Sequence, residues 1–402
     1  MDTEKAAYDP QNIKGDFLQV FGAGTGNESD DIVVFCAPAR INIIGEHIDY
    51  NGGMVFPAAI NRYIYMAIRK RSDSLITYYD WMYKEKFEFN LENDFVYNPE
   101  NSWANYLNGI ISQLLARGYK LQTGFELLIA SNIPAGGGIS SSSAFECCFA
   151  RAICDTYGLN LDGIEIAKIG QMSEHYFMNV NCGIMDQFII SMAKKNTAIK
   201  LNCASLDYEY VPLALGDYSF VVMNSNQMRR LADSKYNERR SECERALDIL
   251  KDSGLKIKTL CDMSPDVWLE NKSKITDTTL SKRVIHCVEE NQRVKDAVAA
   301  LKNGDLAELG KLMNASHASL KDNYEVTGAA LDTLAETAQK QNGCLGARMT
   351  GAGFGGCAIA LVHNSCTEEF IKNVASEYER QIGIKADFFT CQSGGGAGEL
   401  KI

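Results

Sequence analysis

No Cys-x-x-Cys pair occurs among the thirteen cysteines, and the five histidines fall at no zinc-binding spacing. A disulfide framework or a structural metal is therefore not expected; scattered thiols of this kind pack as small apolar groups in a reducing compartment. No apolar run approaches the ~20 residues that a membrane span needs. The N-terminus is polar and acidic, without the apolar stretch of a secretion signal. The expected location is cytoplasmic, with no membrane partner. Excess positive charge is missing too: the net charge of −11 argues against a nucleic-acid partner, while leaving room for a local basic pocket. Neither a Walker A sequence nor the His-Arg-Asp and Asp-Phe-Gly pair of protein kinases is present. Internal repeats and low-complexity segments are absent as well.

What is there is a globular composition, 46% hydrophobic and 23% charged, over 402 residues. That length predicts two domains. The pattern resets around residues 200–215, which places the boundary between 1–210 and 211–402. The second half reads as largely helical, over 283–301, 306–320 and 327–341.

Residues 132–143 organise the first half. Gly136, Gly137 and Gly138 run into Ser140, Ser141, Ser142 and Ser143. A strand-like alternation precedes them and helical spacing follows. Strand, glycine loop and helix start together supply close backbone N–H groups, hydroxyl donors and a positive dipole end, which is a cradle for phosphate. A plain serine cap would need one serine and one glycine. A second glycine loop, Gly351 to Gly356, formally matches G-x-G-x-x-G. A strand follows it rather than a helix, so a dinucleotide site is rejected and the loop is expected to close over the first.

Between two apolar segments, residues 38–53 crowd Arg40, Asn42, Glu46, His47, Asp49 and Tyr50 into one glycine-punctuated loop. Polar groups interleaved with isoleucines are costly to bury unless they bind something polar. Glu174 and His175 fall on a predicted helix over 164–178. Asp186 stands alone in an apolar segment, and a cap, a buried ion pair or a pocket carboxylate are equally open readings. Trp103 and Tyr106 open an amphipathic helix and read as core or as a base-stacking pair. A helix over 236–250 is expected to expose Arg239, Arg240 and Glu244. These parts suit phosphoryl transfer, which needs donors around phosphates, a divalent cation and an aligned hydroxyl.

Three stretches resemble the motifs of the GHMP small-molecule kinases, most closely the galactokinase family: Ala39 through Gly53, Pro134 through Ser143, and Met349 through Cys357. Cys182 through Gln187, and Tyr236-Asn237-Glu238-Arg239-Arg240, add to the likeness. The resemblance implies an α+β fold of two domains with the active site in the cleft between them. It implies transfer of the ATP γ-phosphoryl group to the C1 hydroxyl of galactose by a monomer. Asp186 would be the catalytic carboxylate with Arg40 as its charge partner. Arg40, Glu46, His47, Asp49, Gly183, Asp186 and Tyr236 would contact the sugar. Gly136, Gly137, Gly138, Ser140, Ser141 and Ser142 would hold ATP, with Trp103 and Tyr106 lining its pocket. Ser142 and Glu174 would meet Mg²⁺. Ile48 stands where galactokinases commonly have Thr and resembles the N-acetylgalactosamine kinases, the alternative reading. A non-catalytic galactose- and ATP-binding sensor is a third.

Overall fold

The computed structural model describes residues 8–23, 31–134, 138–227 and 232–402, the side chains of 232 and 233 excepted. The first half is built on a six-stranded sheet. Its spatial order is β13 (Gly398–Glu399), β1 (Val33–Asn42), β3 (Pro57–Lys70), β6 (Phe125–Ser131), β4 (Leu75–Asp80) and β5 (Glu85–Asn90). Strand β1 begins in a β-branched run and continues to Asn42, so Arg40 sits on a strand rather than in the expected loop over 38–53. Pro38 within it cannot donate to a ladder. The sheet absorbs it at an irregularity: the register with β3 shifts between Pro38 and Ala39. The C-terminal segment closes the gap, with Asn61 N–H donating to Gln392 O and Gln392 N–H to Asn61 Oδ1, both at 2.9 Å.

One face of this sheet is covered by α1 (Ile13–Phe21), whose Ile13 and Phe17 join Val34, Ala67 and Leu128 in a small separate core. The other face carries α2 (Ala104–Ala116), α3 (Ser141–Tyr157), α4 (Gly163–Tyr176) and α5 (Met185–Met192). A short sheet of β2 (Met54–Val55), β7 (Thr197–Asn202) and β8 (Tyr208–Pro212) follows. The second half holds a four-stranded antiparallel sheet in the order β10 (Cys344–Thr350), β11 (Cys357–His363), β9 (Tyr218–Asn224) and β12 (Asp387–Cys391). Helices α9 (Leu306–Ser319), α10 (Gly328–Ala338) and α11 (Thr367–Ile382) pack on it, and α6 (Ala232–Asp252), α7 (Pro265–Asn271) and α8 (Thr278–Lys302) complete the layer. Strand β13 returns from this half to the first sheet. Arg239 is not exposed on α6 as the periodicity suggests: it is 6% exposed, with Nε donating to Tyr324 O (2.9 Å) and Nη1 facing Glu242. Local charge spacing cannot anticipate a carbonyl 85 residues away.

Helix α8 is what joins the halves. Its Glu290 accepts from Gly45 N–H (2.9 Å), Asn291 Oδ1 accepts from Met54 N–H (2.8 Å), and His286 Nε2 bonds Glu46 O (3.0 Å). The polar loop after β1 is thereby pinned from the opposite side of the cleft.

Candidate active site

Arg40 and Asp186 form the floor of the cleft. The guanidinium presents a two-pronged fork, Nε to Oδ1 at 2.7 Å and Nη2 to Oδ2 at 2.8 Å. Such bidentate, charge-assisted pairs fix direction as well as supply energy. Arg40 is 3% exposed, whereas the Asp186 side chain keeps 27% of its surface open toward the cleft. Asp186 occupies the first turn of α5, where the positive helix end favours a carboxylate. The remaining guanidinium nitrogen, Nη1, donates to Gly138 O (3.1 Å). The Ser140 hydroxyl also turns to Asp186, donating to Oδ2.

Glu46 lies deeper. Its Oε1 accepts from Gly351 N–H (2.6 Å) and from Thr350 Oγ1 (3.1 Å), with Arg348 Nη1 at 3.6 Å. Burial raises its pKa, and the Arg348 and Arg40 guanidinium charges pull the other way. Gly351 must be glycine twice over: its φ is +85°, and a Cβ there would meet Gly138 O at 2.4 Å. The two glycine loops therefore touch at this residue.

His47 also holds a left-handed backbone, φ 61°, unusual for a residue with a side chain. Nε2 faces the carbonyl of Ala352 at 3.0 Å, so Nε2 carries the hydrogen. Nδ1 then accepts from Tyr50 OH (2.8 Å), Tyr50 OH accepts from Tyr324 OH (2.9 Å), and Tyr324 OH accepts from the Cys243 thiol (3.1 Å). Burial, and then the nearby His286, lower the His47 pKa to about 3. The ring is neutral and both nitrogens are committed internally. His47 latches the polar loop to the second glycine loop and offers the cleft only its surface.

Asp49 faces Asp186 across the cavity. Burial, and then the Asp186 charge, push its pKa up to about 7, against the opposing Tyr50 N–H. Gly183 gives it room: a Cβ there would lie 1.8 Å from Asp49 Oδ2. The Tyr236 ring lies tilted at 5.4 Å from His47 and edge-on at 5.3 Å from Tyr50. A carboxyl with a raised folded-state pKa binds its proton more tightly folded than unfolded. Its contribution to stability is therefore lost as pH climbs from about 4 to about 7. Asp49→Asn is expected to raise the melting temperature by a few degrees at pH 8 and by much less near pH 5, while sugar affinity collapses. Thermal unfolding at both pH values checks this; an equal shift at both would remove the charge as its cause.

Arg40, Glu46, His47, Asp49, Gly138, Ser140, Ser141, Ser142, Glu174, Gly183, Asp186 and Tyr236 all line one cavity of about 360 Å³. Trp103 and Tyr106 do not. Trp103 packs against Phe87 and Phe145, and its Nε1 donates to Glu85 (2.8 Å). Gly136 and Gly137 lie outside the described residues.

Gly351 and Ala352 of the second glycine loop line the cavity beside the first loop, as expected. Two contributors escaped the sequence reading. Arg348 backs Glu46. Glu146 is fully buried beside Glu174, with neither carboxylate oxygen hydrogen-bonded. Burial, and then the Glu174 charge, hold its pKa well above the usual range. A lone acid in Ala-Phe-Glu-Cys-Cys-Phe was the available signal for it.

A carboxylate held by a guanidinium, a glycine–serine loop at a helix start and a second glycine loop touching the first define a small-molecule kinase of the GHMP class. The matching family models agree, the N-terminal GHMP kinase domain over residues 105–194 and the C-terminal one over 297–380. A mevalonate kinase of Methanococcus jannaschii shares the fold at 21% identity, with a TM-score of 0.65 over 90% of this chain and 98% of that one. Residues 17–70 match the galactokinase galactose-binding signature. The galactokinase of Clostridium perfringens is 47% identical over 96% of this chain and 99% of its own length; that of Fusobacterium nucleatum is 45% identical over 97% and 100%. The crystal structure of Lactococcus lactis galactokinase complexed with galactose superposes with a TM-score of 0.93 at 44% identity, covering 97% and 99%. The chain belongs to the galactokinase family and is an ATP-dependent sugar kinase.

Proposed function

We propose that this enzyme transfers the γ-phosphoryl group of ATP to the C1 hydroxyl of galactose. The observation that carries this reading is the Arg40–Asp186 fork at the floor of a cavity with two chemically distinct ends. Glu46, Asp49, Gly183 and Tyr236 form the sugar end, where carboxylates accept hydroxyl protons in set directions. Gly138, Ser141, Ser142 and Glu174 form the phosphate end. As the C1 oxygen bonds to the γ-phosphorus, the bond to the ADP oxygen breaks and Asp186 takes the hydroxyl proton. Arg40 keeps that carboxylate aimed.

The phosphate end suits a magnesium ion: Ser142 and Glu174 present oxygen donors alone, the set this hard cation takes. When bound, it would neutralise charge on the β- and γ-phosphates. Glu174→Gln is expected to move the Mg²⁺ titration of activity at least about fivefold higher and to weaken Mn²⁺ binding read by electron paramagnetic resonance. Unchanged curves in both would exclude Glu174 from the cation site.

The position of Ile48 gives no support to an N-acetylated sugar over galactose. It is fully buried, packs toward Gly53 and does not line the cavity, so its departure from Thr does not reach the sugar. ADP release should be followed with galactose, 2-deoxygalactose, N-acetylgalactosamine and glucose, with the product phosphate located by NMR. The expected result is turnover of galactose to a C1 phosphate with little on the N-acetyl sugar. Preference for the N-acetyl sugar would overturn the assignment.

A further inference from the structure

Ser140 belongs to the serine run that reads as a phosphate cradle, yet its hydroxyl points elsewhere. We propose that Ser140 is a positioning residue for Asp186, setting which carboxylate oxygen meets the sugar hydroxyl, and not a side-chain ligand of the phosphates; this rests on the kinase reading above.

A carboxylate offers about four acceptor positions, two on each oxygen. On Asp186, Oδ2 receives Arg40 Nη2 and the Ser140 hydroxyl, while Oδ1 receives, among the described residues, Arg40 Nε alone. The two oxygens are thus unequal. Oδ1 keeps an acceptor position for an incoming hydroxyl, and Oδ2 has none to spare. A serine hydroxyl has a single proton, and one donated to Asp186 is not available to a phosphate oxygen.

The backbone supports this assignment. Ser140 sits 8% exposed at φ 64°, a left-handed conformation that side chains disfavour and that surrounding structure must hold. The hold comes from Arg40, whose backbone N–H donates to Ile139 O (3.2 Å) and whose Nη1 donates to Gly138 O (3.1 Å). Residues 138–140 therefore grip both members of the Arg40–Asp186 pair. Ser141 and Ser142, one and two positions into α3, line the same cavity and remain for the phosphates.

The test uses two variants that lose the hydroxyl but treat the backbone oppositely. Ser140→Gly tolerates the left-handed φ; Ser140→Ala strains it as serine does. Steady-state rates would be taken against ATP and galactose, with nucleotide affinity measured by direct titration. Both variants are expected to lose about 10- to 50-fold in kcat, with the KM for ATP and the nucleotide affinity within about threefold of the parent. A tenfold rise in the KM for ATP at preserved kcat would make Ser140 a phosphate ligand. A glycine variant with parental kcat beside an impaired alanine variant would make the backbone, not the hydroxyl, the active feature. Parental kcat in both would leave Asp186 positioned without Ser140. Each of these overturns the proposal while leaving the sugar-kinase reading standing. A parent enzyme that releases no ADP with galactose would instead sink that reading itself.

Discussion

Asp186→Asn is expected to lower kcat by about 10²- to 10⁴-fold, the range that a positioned proton acceptor supplies, with ATP still bound. The amide can offer one oxygen to the Arg40 fork but cannot take the hydroxyl proton. Arg40 is 3% exposed and would face a neutral partner in place of its carboxylate. A stability loss of about 3 kcal/mol should accompany the substitution, as when one member of a buried pair is removed. Nucleotide titration and thermal unfolding separate the two effects: turnover vanishes at temperatures where the variant remains folded and still binds ATP. A kcat within tenfold of the parent would take Asp186 out of the chemistry.

The largest effect on folding is expected at Arg348. Its side chain is fully buried on β10, beside Glu46 and with Nη1 donating to Asn42 O (2.8 Å). It comes from one half of the molecule and Glu46 from the other. Arg348→Met would strip the buried Glu46 of one of its two neighbouring cations, Arg40 remaining, and cost about 3–5 kcal/mol. At ~2–4 °C per kcal/mol for large domains, the melting temperature should fall by about 6–20 °C. Adding Glu46→Gln removes the stranded charge, so the double variant should regain roughly half of that loss. Sugar turnover should stay low in the double variant, because Glu46 lines the cavity. A single variant within about 1 kcal/mol of the parent would show that the pair contributes little to joining the halves.

Both results concern contacts between distant parts of the chain, and that separation marks what was legible beforehand. The serine and glycine run, the polar stretch after β1 and the second glycine loop stood out locally, because loops that approach a ligand need glycine and because polar residues among isoleucines are anomalous wherever they occur. These stretches carry the resemblance to the family, and the resemblance, with the stretches around Glu174, Asp186 and Tyr236, implied the α+β class and twelve of the cavity-lining residues. The helices α2, α4, α8, α9 and α10 were readable from periodicity, since burial along one face repeats every turn. Strand β1 runs on through Pro38 into the stretch that reads as a loop, and only the neighbouring strand and the C-terminal segment show how the proline is accommodated.

The sequence by itself therefore determined the phosphate-cradle chemistry from residue type and short spacing, and the fold class and principal acids through the family motifs that it resembles. Tertiary structure alone decided how those groups are spent. It turned Ser140 toward Asp186, committed both nitrogens of His47 inward, set Trp103 against Phe87 and Phe145, and buried Arg239 and Arg348. The reason is distance along the chain. Arg40 and Asp186 are 146 residues apart, and Glu46 and Gly351 are 305 apart. Hydrogen bonds and charges act over a few ångströms in space, so no local pattern can announce the partner that packing brings to each group.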